Sequence, residues 1–411
     1  MARNEKNQQG KTKNGLQYYI FPQKEFGEKI AAVVVKRGAN HIFWKGKDGA
    51  DMTFPQGIAH FIEHKLFQQE WGDAFAKLAE NGAAVNAFTD GDKTVYYFTC
   101  REKFAENLKI LLDFVQHPYF TAEDVEQEKS IIRSEISMYA DDPEWVVYGQ
   151  MLEMMYENHP VRNPVAGTAE TVQKITEKTL QQAYDTCYTT ENMVLICAGD
   201  VSAAKVRAAA ETVQKQTAEA RVYFPAEEKR ILEKYRERQM GLSRPHFQMA
   251  FKLPAVPKET WLNSRIAAGF LLEILAGESS SFFQQAYETG FLDEPPGTAF
   301  FCGEGYAFAA LSGVGEYPEE TAELLGAELK RLQKKGLDQE DFRRIRKKML
   351  GRFLRRMDSP VSLCLGQAEW VMMDKTAAEV MGRIKTLSVA EAEKLLQNAF
   401  STDTMVLSVV R

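Results

Sequence analysis

"ITEKTLQQAYDTCYTTENMVLICAGD", residues 175–200, decides the architecture once it is laid beside "LSVAEAEKLLQNAFSTDTMVLSVVR", residues 387–411. The two stretches align without a gap at an offset of 212, setting Ile175 against Leu387 and Met193 against Met405. Each reads as an amphipathic helix, a short polar turn and a buried strand. A second echo, at an offset of 217, pairs "TAEDVEQEKSIIRSEI" from Thr121 with "DQEDFRRIRKKMLGRF" from Asp338. A period near half the chain length implies two similar α/β lobes and not a solenoid of short repeats. The charged stretch "AEEKRILEKYRERQ", residues 226–239, is the expected join. Residues 1–222 are therefore expected to form a first lobe, 223–236 a linker and 237–411 a second lobe.

The bulk properties agree with two ordinary domains. A chain of 411 residues exceeds what one hydrophobic core usually supports. It is 45% hydrophobic and 26% charged, close to the average globular composition. A net charge of -6 gives no footprint for nucleic acid or an anionic membrane. "MARNEKNQQGKTKNG" reads as a polar tail without the apolar core of a signal peptide. Apolar runs such as "IAAVVV" and "NMVLICA" are strand-sized, so no membrane span is expected. The five cysteines stand singly with no CxxC pair, which points to free thiols and a reducing, cytoplasmic compartment.

Chemistry concentrates in the first copy. "HFIEH", residues 60–64, places two histidines four apart in "GIAHFIEHKLFQQ". There Ile58, Phe61, Ile62 and Leu66 would face a core. Residues four apart stack on one helix face about 5–6 Å apart at Cβ. Two imidazoles so spaced can converge on one Zn²⁺, since Zn–N distances are only about 2.0–2.1 Å. Glu63 would sit beside them, able to take a proton from water that the metal acidifies. The plainer reading is a packed helical turn, and the motif needs a third ligand to rise above it. Glu128 and Glu135 lie seven apart, nearly two helical turns, and so share a face. Alone they would be a solvated helix face. Their echoes in the second copy are Ile345 and Arg352, and no histidine follows His246, so any histidine-based metal site belongs to the first lobe.

HxxEH followed some seventy residues on by E-x6-E resembles the pitrilysin family of zinc peptidases, which includes insulysin and the mitochondrial processing peptidase. The resemblance implies an α+β fold of two homologous lobes, each a mainly antiparallel sheet flanked by helices, closing as a clamshell. It implies His60, His64 and Glu135 as zinc ligands, Glu63 as general base and Glu128 as a supporting acid. "GAAVNAFTDGDKTVYYFTC" reads as a hairpin turning at Asp90-Gly91. It resembles the family's edge strand, which implies a peptide substrate held by strand addition at Asn86, Ala87 and Phe88. "NHPVRNPVAGTAETV", residues 158–172, resembles the family stretch after the E-x6-E helix, with no chemistry assigned. In one respect the sequence departs from the family. The segment "FFQQAYETGFLDEPP" puts Tyr287 and Asp293 where self-sufficient members carry an Arg and a Tyr that bind the developing charge. That departure implies the metal-bearing half of a heterodimer, as in the bacterial paired-subunit type, whose homologous partner supplies the pair. The alternatives are a non-catalytic partner subunit and a metal-dependent hydrolase of a non-peptide substrate.

Overall fold

The computed structural model describes residues 7–214 and 220–411, and the chain divides into two compact units. The first contains residues 1–136, 164–223 and 354–376; the second contains 137–163, 224–353 and 377–411. Both are mixed α/β.

In the first unit six strands form one sheet, in the order Gln8–Lys11, Gln17–Pro22, Met193–Gly199, Lys29–Val35, Thr94–Cys100, Ala83–Thr89. Every pairing is antiparallel except that of Gln17–Pro22 with Met193–Gly199. The second unit has a five-stranded sheet that repeats the last five of these strands, in the order Tyr235–Arg238, Met405–Val410, His246–Leu253, Tyr306–Val314, Gly297–Gly303. Its one parallel pair, Tyr235–Arg238 with Met405–Val410, corresponds to that of Gln17–Pro22 with Met193–Gly199. Even the register repeats: Leu195 pairs with Tyr18, and Leu407, 212 residues on, pairs with Tyr235.

The central strands read as unbroken apolar runs because both faces of each sheet are covered. On one face of the first sheet, Ala31, Val33, Leu195 and Cys197 join the core that also holds Leu108, Leu111 and Leu112 of helix Phe104–Gln116. On the other face helix Pro360–Trp370 packs against Lys29–Val35 and Met193–Gly199. The second sheet is covered likewise by helix Pro143–Met155, against His246–Leu253 and Met405–Val410. These two helices begin 217 residues apart, the offset of the second echo, and each starts with a proline whose missing N–H costs nothing there.

The expected contiguous lobes therefore need correction. Each unit borrows a helical segment, 137–163 or 354–376, from the other half of the sequence. Nor do residues 223–236 form a free linker. Glu227 lies in the second unit with its side chain largely covered, where its carboxylate accepts the backbone N–H groups of Glu157, Asn158 and His159 and pairs with Lys252 at 2.9 Å. Those bonds hold its carboxyl below the usual range despite the opposing effect of burial. Tyr235 and Arg236 already belong to a strand. In the expected N-terminal tail, residues 1–6 lie outside the described residues, but Gln8–Lys11 is an edge strand paired with Gln17–Pro22. The stretch Lys258–Glu288 is apolar enough over its length to suit a membrane, which the short apolar runs did not suggest. In the second unit it is helix Trp261–Ala276, broken at Gly277, then Ser281–Glu288, and its apolar side chains are mostly buried.

Candidate metal centre

Helix Ile58–Lys65 carries HFIEH, and its start is set by close backbone packing. Gly57 has φ 88°, and a Cβ there would lie 2.4 Å from the Ala166 carbonyl oxygen. Gly167 has φ 75°, and its Cβ would lie 2.5 Å from the Gln56 oxygen. Only glycine tolerates both the left-handed backbone and the contact. The loop ending at Gly167, to which the sequence assigned no chemistry, is thus what seats the motif helix. Ile58, Phe61, Ile62 and Leu66 are buried as expected. That fixes the helix's rotation and puts His60, Glu63 and His64 on the remaining side.

The acids come from helix Ala122–Ala140. Thr121 caps it: its hydroxyl oxygen accepts the Asp124 N–H at 3.1 Å. Val125 and Ile132 anchor one face in the core, which turns Glu128 and Glu135 towards the histidines.

The pieces converge. His60 Nε2 lies 3.6 Å from Glu135 Oε1, and His64 Nε2 lies 3.6 Å from Glu135 Oε2. The two rings are 4.5 Å apart, centroid to centroid. One ligand atom from each of His60, His64 and Glu135 falls within 4.8 Å of the others, the one such group of three among the described residues. A separation of 3.6 Å is too long for a hydrogen bond. It does match a shared cation: two donors about 2.1 Å from a tetrahedral zinc lie about 3.4 Å from each other. The donor set, two imidazoles and a carboxylate, is also that of a catalytic zinc with one position open. The residues fit the metal.

Glu128 has a different task from Glu135. Its Oε1 lies 3.0 Å from His64 Nδ1. With the Nδ1 proton committed to that carboxylate, the Nε2 lone pair is left facing the cluster. Burial pulls the His64 pKa down, but the Glu128 hydrogen bond and the charges of Glu128, Glu63 and Glu135 outweigh it and raise it. Three carboxylates around two imidazoles make a site that favours a cation. Lys65, fully buried, offsets part of that charge: its ammonium bonds Gln68 Oε1 and lies 3.9 Å from Glu128. Among the described residues His60 Nδ1 is buried without a hydrogen-bond partner, so His60 lacks the support that His64 has.

Glu63 is buried beside the histidines and accepts a 2.7 Å hydrogen bond from the Thr89 hydroxyl. Thr89 ends strand Ala83–Thr89, which lies at the edge of its sheet and, among the described residues, pairs only with Thr94–Cys100. The hairpin turns at Asp90 as expected, though through four residues: the Asp90 carboxylate accepts the N–H groups of Asp92 and Lys93, both at 2.8 Å. Asn86 is exposed on this edge strand, with Ala87 and Phe88 half-buried. Sequence reasoning missed Thr89. Its only signal was the threonine closing "NAFT", which a strand would favour anyway.

The second unit's counterparts carry no metal chemistry. Ile345 is buried, and Arg352 Nη1 pairs at 2.9 Å with Glu273, which also bonds Lys348. Tyr287 is exposed on helix Ser281–Glu288, and Asp293 pairs with Arg244 at 2.8 Å.

Residues 50–169 match the family described as insulinase (peptidase family M16), and residues 174–349 match the peptidase M16 inactive domain. The chain is similar to the uncharacterised zinc protease YmfH of Bacillus subtilis, at 32% identity over 409 residues, 97% of this chain and 95% of that one. It is also 32% identical over 151 residues to YmxG, another uncharacterised zinc protease of that organism, covering 36% of this chain and 37% of the relative. A crystal structure described as an M16-like peptidase from Alicyclobacillus acidocaldarius superposes with a TM-score of 0.95 at 30% identity, covering 98% of each chain. A protease from Helicobacter pylori shares the fold, with a TM-score of 0.83 at 18% identity over 99% of each chain.

Proposed function

This chain belongs to peptidase family M16, the insulinase family, and from that premise we propose that it is a zinc-dependent endopeptidase of short or unfolded peptides. The observation that carries the reading is the gap bounded by His60 Nε2, His64 Nε2 and the Glu135 carboxylate, too wide for direct bonds and matched to one ion. A zinc ion there would supply Lewis acidity and bring the pKa of a water molecule towards about 7. Glu63 takes the proton from the attacking water and delivers it to the leaving amine. Glu128 acts through His64, holding its tautomer and ring orientation, so it is a positioning residue and not a proton carrier. The peptide adds as a strand along the open edge of Ala83–Thr89, with Asn86, Ala87 and Phe88 nearest the bond cut.

The chain works with a homologous subunit that contributes an Arg and a Tyr for the developing oxyanion, since Tyr287 and Asp293 stand at those positions here. The same substitution favours the second reading, a non-catalytic partner. Five free thiols suit a reducing compartment, and the cytoplasm is the proposed location. The test is a quenched peptide library cleaved by the purified chain, with and without its homologous partner, beside Glu63→Gln. The expected result is one zinc per chain in both proteins and cleavage by the wild type alone, stimulated by the partner. Cleavage surviving in Glu63→Gln would overturn the mechanism, and an inert wild type with its partner present would favour the second reading.

A further inference from the structure

We propose that Thr89 is a positioning residue for Glu63: its hydroxyl fixes one carboxylate oxygen and leaves the other as the oxygen that carries the proton. The inference rests on the peptidase reading above. Thr89 has one hydroxyl hydrogen to give. Two acceptors are in range, Glu63 Oε2 at 2.7 Å and Thr94 Oγ1 at 3.4 Å. The carboxylate takes it, being both nearer and charged. Thr94 cannot compete for Glu63, because it is fully buried and gives its own hydrogen to the Arg37 carbonyl at 3.1 Å.

The phenols packed nearby have hydrogen-bond partners other than Glu63. The buried phenols of Tyr96 and Tyr188 bond each other at 2.7 Å, and Tyr184 gives its hydroxyl to the Val115 carbonyl. Among the described residues, Thr89 is thus the one donor to the Glu63 carboxylate. Glutamate has three side-chain torsions to lose, and a buried carboxylate without a donor is poorly held. Thr89 stands at the end of the edge strand on which the peptide would lie, anchored by its ladder partner Thr94. The strand therefore carries at one end the hydroxyl that aims the base. Misplacing a reacting group by about 1 Å costs about 100-fold in rate.

The experiment compares Thr89→Val, which keeps the shape, with Thr89→Ser, which keeps the hydroxyl. Both are measured for kcat, KM, zinc per chain and thermal midpoint, and Thr89→Val is also crystallised without metal. The expected result for Thr89→Val is a kcat lowered about 10- to 100-fold, with KM, zinc content and midpoint unchanged. In its crystals the Glu63 carboxylate should have left its wild-type place, and Thr89→Ser should keep most of kcat. The idea is overturned if valine and serine are equally impaired, which marks a packing role for the methyl group. It is overturned equally by a rise in KM with kcat intact, which marks peptide binding. Should the wild type cleave nothing even with its homologous partner present, the peptidase reading falls on that result alone. The crystals still decide the positioning claim, and an unmoved Glu63 in Thr89→Val would refute it.

Discussion

The helix pairs Ile58–Lys65 with Ala122–Ala140, and Trp261–Ala276 with Gln339–Met357, are two solutions to one packing arrangement. In the first unit two imidazoles meet carboxylates from a long helix, and the gap between them fits a cation. In the second the charges are reversed and supplied by protein: Glu273 on the shorter helix meets Lys348 and Arg352 on the long one. Lys348 and Arg352 follow one another at i, i+4 on a single helix face. In the second unit basic side chains neutralise the buried carboxylate; in the first a metal would do so, and it alone would leave a position for chemistry.

The sharpest way to break that comparison is to remove a ligand. Glu135→Ala should abolish zinc retention and lower cleavage by at least about 10³-fold. Elemental analysis that still found one zinc per chain would end the assignment of ligands. Metal withdrawal should come next in size. With free zinc at about 1,000 times its dissociation constant, binding adds about 4 kcal/mol, so chelation should lower the thermal midpoint. The same treatment should leave a Glu135→Ala chain unaffected.

Smaller changes sharpen the contrast. Glu128→Gln keeps the shape but weakens the support of His64, and zinc affinity measured by competition with a chelating dye should fall about 10- to 100-fold. In the second unit Glu273→Gln strips the partner from Lys348 and Arg352. Urea unfolding should report a loss of about 1–3 kcal/mol, with zinc content unchanged. A change in zinc content would mean that the second cluster is no mere structural counterpart.

The smallest effect lies in the repeat itself. Thr176 and Ser388, 212 residues apart, each cap the helix that follows through a capping box, but the third helical residue is Thr179 in one copy and Glu391 in the other. Arg383 and the Ser388 cap depress the Glu391 carboxyl to about 2. A depressed acid contributes stability above its unfolded pKa and loses it as pH falls. The second cap should therefore weaken between about pH 4.5 and pH 2, while the first should not. Glu391 is half-exposed, so solvent screening limits the effect to less than about 1 kcal/mol. Comparing wild type with Glu391→Gln across that range measures it.

The duplication and the rotation of the motif helix were legible in the sequence, because each depends on spacing along the chain; the choice of Glu135 beside His60 and His64 came from the family resemblance, and the structure brings those three side chains together. Phe61 and Ile62 in the core oblige His60 and His64 to face away from it, and that follows from helical periodicity alone. The sequence did not disclose which sheet Pro143–Met155 and Pro360–Trp370 would cover. An apolar helix face specifies that something is buried, without naming the partner. The seat made by Gly57 and Gly167, 110 residues apart, escaped for the same reason, since close approach leaves its mark only as a glycine at each end. Thr89 was hidden by its own suitability for a strand. Asp293 at the family's Tyr position was legible, but its engagement with Arg244 was not.

The borrowed helices constrain how the molecule can be made. Helix Pro360–Trp370 closes the far side of a sheet whose first strands lie within the opening forty residues. Domains generally fold as units during synthesis, the N-terminal part first. Here the ribosome must pass residue 370 of 411 before the first unit can shut its apolar flank. Until then the nascent chain displays Ile30, Val34 and Ile196 to whatever chaperone or neighbouring chain is at hand.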